Sequence, residues 1–220
     1  MLIALPQLTI IQSFLKIFLA ATICAHLSEP RLEAFLYEFV VDKSDLVDLN
    51  VVIFSKSELK KFENEIRLPP KFSLIQSTSK HSFTANKEWK IEGMQSIIDH
   101  FKDIKWIQIG KNDEPKLNNC QNMLSLSIRE VAFVISKCQF IVTYEGLFNH
   151  LASCFQKKSF VIHTGFLPVE AFKYKNNIII EKNSEMDCYP CFKIDCESHL
   201  KKFLKHMDNE YVVSKIKSNL

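Results

Sequence analysis

Residues 143–152 read Thr-Tyr-Glu-Gly-Leu-Phe-Asn-His-Leu-Ala and follow the short apolar run Phe140-Ile141-Val142. A strand that enters an acidic turn and then opens an apolar helical pattern builds a corner able to bind an anion. The first N–H groups of a helix have no intrahelical acceptors and carry partial positive charge. A carboxylate at that turn cannot hold the anion, but it can accept hydrogen bonds from hydroxyls beside it. Phosphate joined to sugar suits both halves. The plainer reading makes Glu145 an acidic residue that complements the helix dipole and His150 a satisfied core histidine.

Other residues of similar chemistry follow other apolar runs. Gln76-Ser77-Thr78-Ser79 leads on to Lys87-Glu88-Trp89. Hydroxyls after a strand and a lysine before the next helix can hold a diphosphate, the lysine as a mobile point charge. The alternative is a polar surface loop whose Trp89 packs under that helix. Ile107-Gln108-Ile109-Gly110 ends on a glycine, which allows close backbone approach to a ligand or simply makes a turn. Cys188-Tyr189-Pro190-Cys191 with Cys196 brings thiols to metal-ligand spacing, with His199 as a candidate fourth ligand. A loop staple or reduced, unligated thiols fit the same residues. A Ser–His–Asp nucleophile elbow, an H-E-x-x-H run and a Walker-type loop are all absent from the sequence.

The elements that must position these residues alternate. Strands are expected at 72–76, 106–109, 140–143, 160–162 and 177–180. Helices are expected at 91–101, 127–136 and 147–155, the second capped by Ser125 or Ser127. Such alternation argues for an α/β fold with a parallel sheet covered on both faces. Ligands of such sheets sit beyond the carboxyl ends of the strands. Thr78, Gly110, Glu145 and Thr164 all fall there and are expected on one rim. Ahead of them, helices are read at 6–19, 31–39 and 57–65, the last capped by Ser55 or Ser57, with a short strand at 50–54. A helical tail is read at 198–207 and 211–216. Pro69-Pro70 is the clearest break and is read as a domain boundary.

Composition bounds the rest. The 220 residues suit one large domain or two small ones, and 47% hydrophobic residues, 18 of them Phe, allow an aromatic-rich core. A net charge of +3 with scattered lysines gives no support for nucleic acid as a partner. Seven cysteines, four of them (Cys24, Cys120, Cys138, Cys154) in apolar or helical surroundings, fit a reducing compartment better than a disulfide scaffold. Residues 8–27 are apolar but interrupted by Gln12, Ser13 and Lys16. They favour a buried or amphipathic helix over a signal or membrane anchor.

From Pro70 onward the chain resembles glycosyltransferase family 9, the ADP-heptose:lipopolysaccharide heptosyltransferases and their relatives. The resemblance rests on pieces that occur in family order. They are Phe72 to Ser79, Lys87 to Trp89, Ile107 to Gly110, Leu126-Ser127-Ile128-Arg129-Glu130-Val131-Ala132, Glu145 to Ala152, and Cys188 to Cys191. The family corner carries an acidic residue, glycine and, further on, histidine. Here Glu145, Gly146 and His150 match it, while Leu147 stands where one branch has a second glycine.

The resemblance implies a GT-B architecture of two Rossmann-like domains, here a donor half at 69–198 with a truncated acceptor-side region at 1–68 and a helical tail at 199–220. It implies an enzyme that transfers a sugar from a nucleotide-diphosphate-sugar donor, ADP-heptose-like, to a saccharide or lipopolysaccharide-core acceptor. No cofactor or catalytic metal is implied, and the setting is cytoplasmic, with peripheral attachment to the inner membrane an option. By the same resemblance Thr78 and Lys87 contact phosphates, Gly110 lies against the donor, and Gly146, Asn149 and His150 cradle the diphosphate from the helix start. Glu145 accepts from donor hydroxyls. The family's usual base, an aspartate after an N-terminal glycine turn, has no counterpart. Asp42, Asp45 and Asp48 are nearby carboxylates that read as solvated loop charge, so no catalytic residue is assigned. A catalytically inactive nucleotide-sugar-binding remnant or scaffold is the alternative.

Overall fold

The computed structural model describes residues 54–79, 85–182, 188–193, 196 and 207–220. The elements read at 6–19 and 31–39, most of those at 50–54 and 198–207, and the residues Asp42, Asp45, Asp48 and His199 lie outside the described residues.

Six parallel strands form one sheet: β1 (Ser73–Gln76), β2 (Trp106–Ile109), β3 (Gln121–Met123), β4 (Phe140–Tyr144), β5 (Lys158–Ile162) and β6 (Asn177–Ile180). Their spatial order is β3-β2-β1-β4-β5-β6, and every neighbouring pair is parallel. This is the Rossmann-like order. The chain builds outward from β1 in one direction, returns, and then builds outward from β4 in the other. The crevice where the order reverses lies between the ends of β1 and β4, the position at which such sheets bind ligands.

Alternation along the strands divides the core in two. Ile75, Trp106, Val142 and Phe160 face a cluster completed by Met94, Ile97 and Ile98 of α2 (Ile91–His100) and by Val212, Val213 and Ile216 of α5 (Asn209–Lys217). Leu74, Ile107 and Ile141 face the other cluster. It is filled by Phe62 of α1 (Lys56–Glu65), Val131 to Ile135 of α3 (Ile128–Lys137) and Leu151 and Ala152 of α4 (Leu147–Cys154). Ser55 and Ser127 cap α1 and α3 with complete capping boxes, satisfying helix-start N–H groups that would otherwise lack acceptors.

Helix α1 precedes the Pro69-Pro70 pair, yet Phe54, Phe62 and Ile66 are buried in the same cluster as Phe72 and Phe133. Glu58 ties it to α3 through Arg129, whose guanidinium donates to both carboxylate oxygens. Phe54, Phe62 and Ile66 therefore pack with residues that follow the proline pair, which itself is part-buried at Pro69 and exposed at Pro70. No helix among the described residues is long and apolar enough to cross a membrane.

Candidate functional site

Because every strand runs the same way, the residues following β1, β2, β4, β5 and β6 share one rim. β4 is buried along its whole length, and Glu145 follows it directly, 5% exposed. Lys87, at the end of a 3-10 turn (Ala85–Lys87), places Nζ 3.2 Å from Glu145 Oε1. His163, directly after β5 and fully buried, places Nε2 3.2 Å from Glu145 Oε2. The carboxylate is thus flanked by two nitrogens. Among the described residues neither buried oxygen has a well-directed hydrogen-bond partner, so both are held chiefly by charge. A buried acceptor in that condition is costly unless another donor arrives.

His163 is itself held on two sides. Nδ1 lies 3.2 Å from Glu181 Oε2, just past β6, and Nε2 donates to the Leu167 carbonyl at 2.8 Å. Burial works against a charged imidazole, but the pull of Glu145 and Glu181 outweighs it and holds His163 above its ordinary value. Only the doubly protonated ring has a proton on both nitrogens, one facing Glu181 and the other facing Leu167 and Glu145.

Gly146 begins α4 with φ 144° and ψ −158°, a region that side-chain-bearing residues avoid, and no side chain caps the helix start. Nothing lies within 4 Å of where its Cβ would be. The start of α4 therefore carries no capping side chain, and the space at the α-carbon of Gly146, next to Glu145 in the chain, is open. Phe166, after β5, lies under Lys87, with Nζ 4.7 Å from the ring centre, and Thr164 Oγ1 donates to the Asn86 carbonyl at 2.6 Å, so the β5 loop fixes the turn that carries the lysine.

The expected site residues divide into two groups. Lys87, Glu145 and Gly146 come together, and the half-buried Thr78 follows β1 on the same rim. Lys87 and Glu145 sit side by side rather than across a pocket. Asn149 is fully buried with its amide engaged at both ends, donating to the Phe172 carbonyl and accepting from Asn177 Nδ2. That pairing joins α4 to the start of β6 and explains the residue without a ligand. His150 pairs through Nδ1 with the Tyr174 hydroxyl at 2.5 Å, and burial lowers its pKa. Gly110 is explained by a neighbour: a Cβ there would lie 2.3 Å from Glu114 Oε2, so the close approach belongs to Glu114. Trp89 packs across Gly93 of α2 and donates from its indole to the Met207 carbonyl, which is the packing role foreseen for it.

His163 and Glu181 had no place in the sequence reading. The available signal was positional: His163 is the first polar residue after the apolar end of β5, as Glu145 is after β4, and Glu181 stands likewise after β6. Away from this network, the sulfurs of Cys188, Cys191 and Cys196 all lie within 4.8 Å of one another.

No family model and no curated protein matches the chain. Solved structures do. The iron-containing dodecameric glycosyltransferase TibC of enterotoxigenic Escherichia coli is 13% identical, with a TM-score of 0.57 over 69% of this chain and 45% of that one. TibC is also known in complex with ADP-D-beta-D-heptose. The ADP-heptose lipopolysaccharide heptosyltransferase II of E. coli is 13% identical, TM-score 0.55, over 80% of this chain and 55% of that one. A glycosyltransferase family 9 protein from Veillonella parvula is 12% identical, TM-score 0.52, over 74% and 50%. The chain spans about half the length of these structures. At such identities the likeness is one of fold: a Rossmann-like α/β sheet of the kind found in GT-B glycosyltransferases.

Proposed function

We propose that this chain binds a nucleotide-diphosphate sugar, ADP-heptose-like, as the donor half of a heptosyltransferase-type glycosyltransferase. The observation that carries the proposal is the buried, ionically held Glu145 beside the uncapped start of α4, at the point where the strand order reverses. The diphosphate sits over the first N–H groups of α4, where the helix dipole favours negative charge. Lys87 moves from Glu145 toward the phosphate oxygens, and the Glu145 oxygen it leaves accepts a hydroxyl of the donor. Exchange of one partner for another keeps every buried charge compensated. Lysine and helix start together stabilise the departing nucleotide diphosphate, so the sugar transfer itself needs no metal for that charge. The acceptor, a saccharide hydroxyl of a surface glycan, and the base that deprotonates it belong to the acceptor side.

A second reading has support of its own. The two buried-network carboxylates, Glu145 and Glu181, are both engaged by His163, so neither is a ready base. The described residues then suit a module that binds a nucleotide sugar without transferring it.

A thermal-shift series with ADP-, UDP- and GDP-sugars tests the donor assignment. At a hundredfold excess over Kd a ligand adds about 2.7 kcal/mol of stability. For a chain of this size that is a rise in Tm of roughly 5–11 °C. Lys87→Met is expected to weaken the effective donor about tenfold or more, as loss of a charge-assisted contact does. Glu145→Gln should weaken it while leaving the helix-start contacts in place. Silence of the wild-type chain toward all three nucleotide classes sinks the assignment. Turnover with a saccharide acceptor separates the two readings.

A further inference from the structure

We infer that Cys188, Cys191 and Cys196 form a thiolate site for one soft divalent metal ion, zinc or ferrous iron, that fastens residues 188–193 beside the loop that supports Lys87. Three sulfurs from two sequence-separated positions, a C-x-x-C pair and Cys196, converge to within 4.8 Å of one another. Thiolate–metal bonds of about 2.3 Å at tetrahedral angles put sulfurs roughly 3.8 Å apart. The three need to close by no more than about 1 Å from their present separation. No disulfide joins any pair of the six described cysteines. A disulfide would use two of the sulfurs and leave the third, whereas a divalent cation binds all three thiolates at once and offsets two of their three charges. Soft sulfur ligands select zinc and iron over magnesium or calcium.

The segment's attachments give the site a consequence. Cys191 N donates to the Gly165 carbonyl at 3.0 Å and Phe192 N to the Phe166 carbonyl at 3.1 Å. The Lys193 carbonyl accepts from Asn86 Nδ2 at 2.7 Å. The Tyr189 hydroxyl accepts from Val169 N at 3.1 Å. Residues 189–193 therefore lie along the β5 loop, whose Phe166 supports Lys87, and bond to the residue before Lys87 in the chain. A metal at the three sulfurs fixes both neighbours of the lysine at once. This consequence for the donor rests on the proposed function; the metal site does not.

The test begins without any nucleotide. The full chain is purified anaerobically, its zinc and iron are measured, and the apo form is refilled with cobalt(II) as a spectroscopic probe. One equivalent of metal per chain is expected, with the intense sulfur-to-cobalt charge-transfer bands and visible bands of tetrahedral thiolate cobalt. Cys191→Ser and Cys196→Ser should each lose at least tenfold in cobalt affinity, while Cys154→Ala, buried in α4, should keep it. Thiol reactivity of the wild-type chain gives a readout that no folding defect of a variant can mimic: three thiols should become reactive on chelation and be protected by added metal. Failure to take up zinc, iron or cobalt overturns the inference. So does an unchanged cobalt spectrum in Cys191→Ser, or a mass two hydrogens lighter that marks a disulfide in the freshly purified chain. If the metal is present and its removal leaves donor affinity unchanged, the site stands and only its link to Lys87 falls.

Discussion

Two polar networks share the carboxyl rim of the sheet, and they are built on opposite principles. Beyond β2, Gln108 is fully buried and every end of its amide is used: Nε2 donates to Ser77 Oγ at 2.7 Å and to the Pro115 carbonyl at 2.8 Å, and Oε1 accepts from Leu117 N at 2.8 Å. Ser77 Oγ donates in turn to Glu114 Oε2, and the other oxygen of Glu114 accepts from Lys111 N. Beyond β4, Glu145 is as deeply placed but has charge on both sides and no directional bond. A buried polar network that is fully satisfied rigidifies a fold; one left partly satisfied is a place where a ligand changes the balance. The β2 end is closed and structural, and the β4 end is poised.

The largest effect that separates the two belongs to the closed network. Gln108→Ala leaves the buried Leu117 N–H without its acceptor, removes two further bonds and opens space. It should cost about 2–4 kcal/mol, or roughly 5–15 °C in Tm. Glu145→Gln keeps the shape and loses no directional bond, but it takes from Lys87 and His163 their shared counter-charge. Its cost in urea titrations should therefore depend on pH where that of Gln108→Ala does not. Donor binding should be weakened by Glu145→Gln and kept by folded Gln108→Ala. A Glu145→Gln cost as insensitive to pH as that of Gln108→Ala would dissolve the distinction.

How much of this was legible in the sequence follows the same division. β2 and β6 are found at the bounds their apolar runs suggest, and the capping serines of α1 and α3 are among those proposed, because those signals are local. β3 gave none: Gln121 and Asn122 are exposed on an edge strand, and a strand with little to bury has no apolar pattern. The Glu145 corner was legible because strand, acid, glycine and helix are contiguous. The partners that define its electrostatics come from distant positions. His163 and Glu181 meet it only because β5 and β6 lie beside β4, and Glu114 reaches Gly110 only through the fold of its own loop. Asn149 looked like a ligand residue because its place in a motif was visible and its bonds to Phe172 and Asn177 were not.

The two rim glycines offer a smaller and sharper contrast. Gly146→Ala meets no atom, so its cost of about 1–3 kcal/mol comes from backbone conformation alone. Gly110→Ala instead drives its Cβ into the Glu114 carboxylate and should cost about 1–2 kcal/mol through the bonds that carboxylate makes. A double-mutant cycle tells them apart. Combined with Glu114→Ala, Gly110→Ala should lose the part of its cost that comes from the obstruction and keep only the part set by its backbone, φ 159°. Gly146→Ala should cost the same with or without Glu114. Full additivity of Gly110→Ala and Glu114→Ala would mean that the β2 glycine serves something other than its neighbour.

The smallest expected effect is a slope against pH. His163 is held above its ordinary value of 6.5, so between that value and its folded value the native chain binds a proton that the unfolded chain has released. Its contribution to stability is therefore complete below about pH 6.5, the ordinary histidine range, and is lost as pH rises through the folded value. Loss of the proton strips one ring nitrogen of its donor while Glu181, Leu167 and Glu145 still face it. Urea unfolding of wild type and His163→Gln across this range should show the gap between them narrowing with rising pH, since glutamine does not titrate. A gap that stays level would mean that the imidazole is neutral in the folded chain. Glu145 would then be held by Lys87 alone, and the β4 network would be a single ion pair rather than a carboxylate set between two cations.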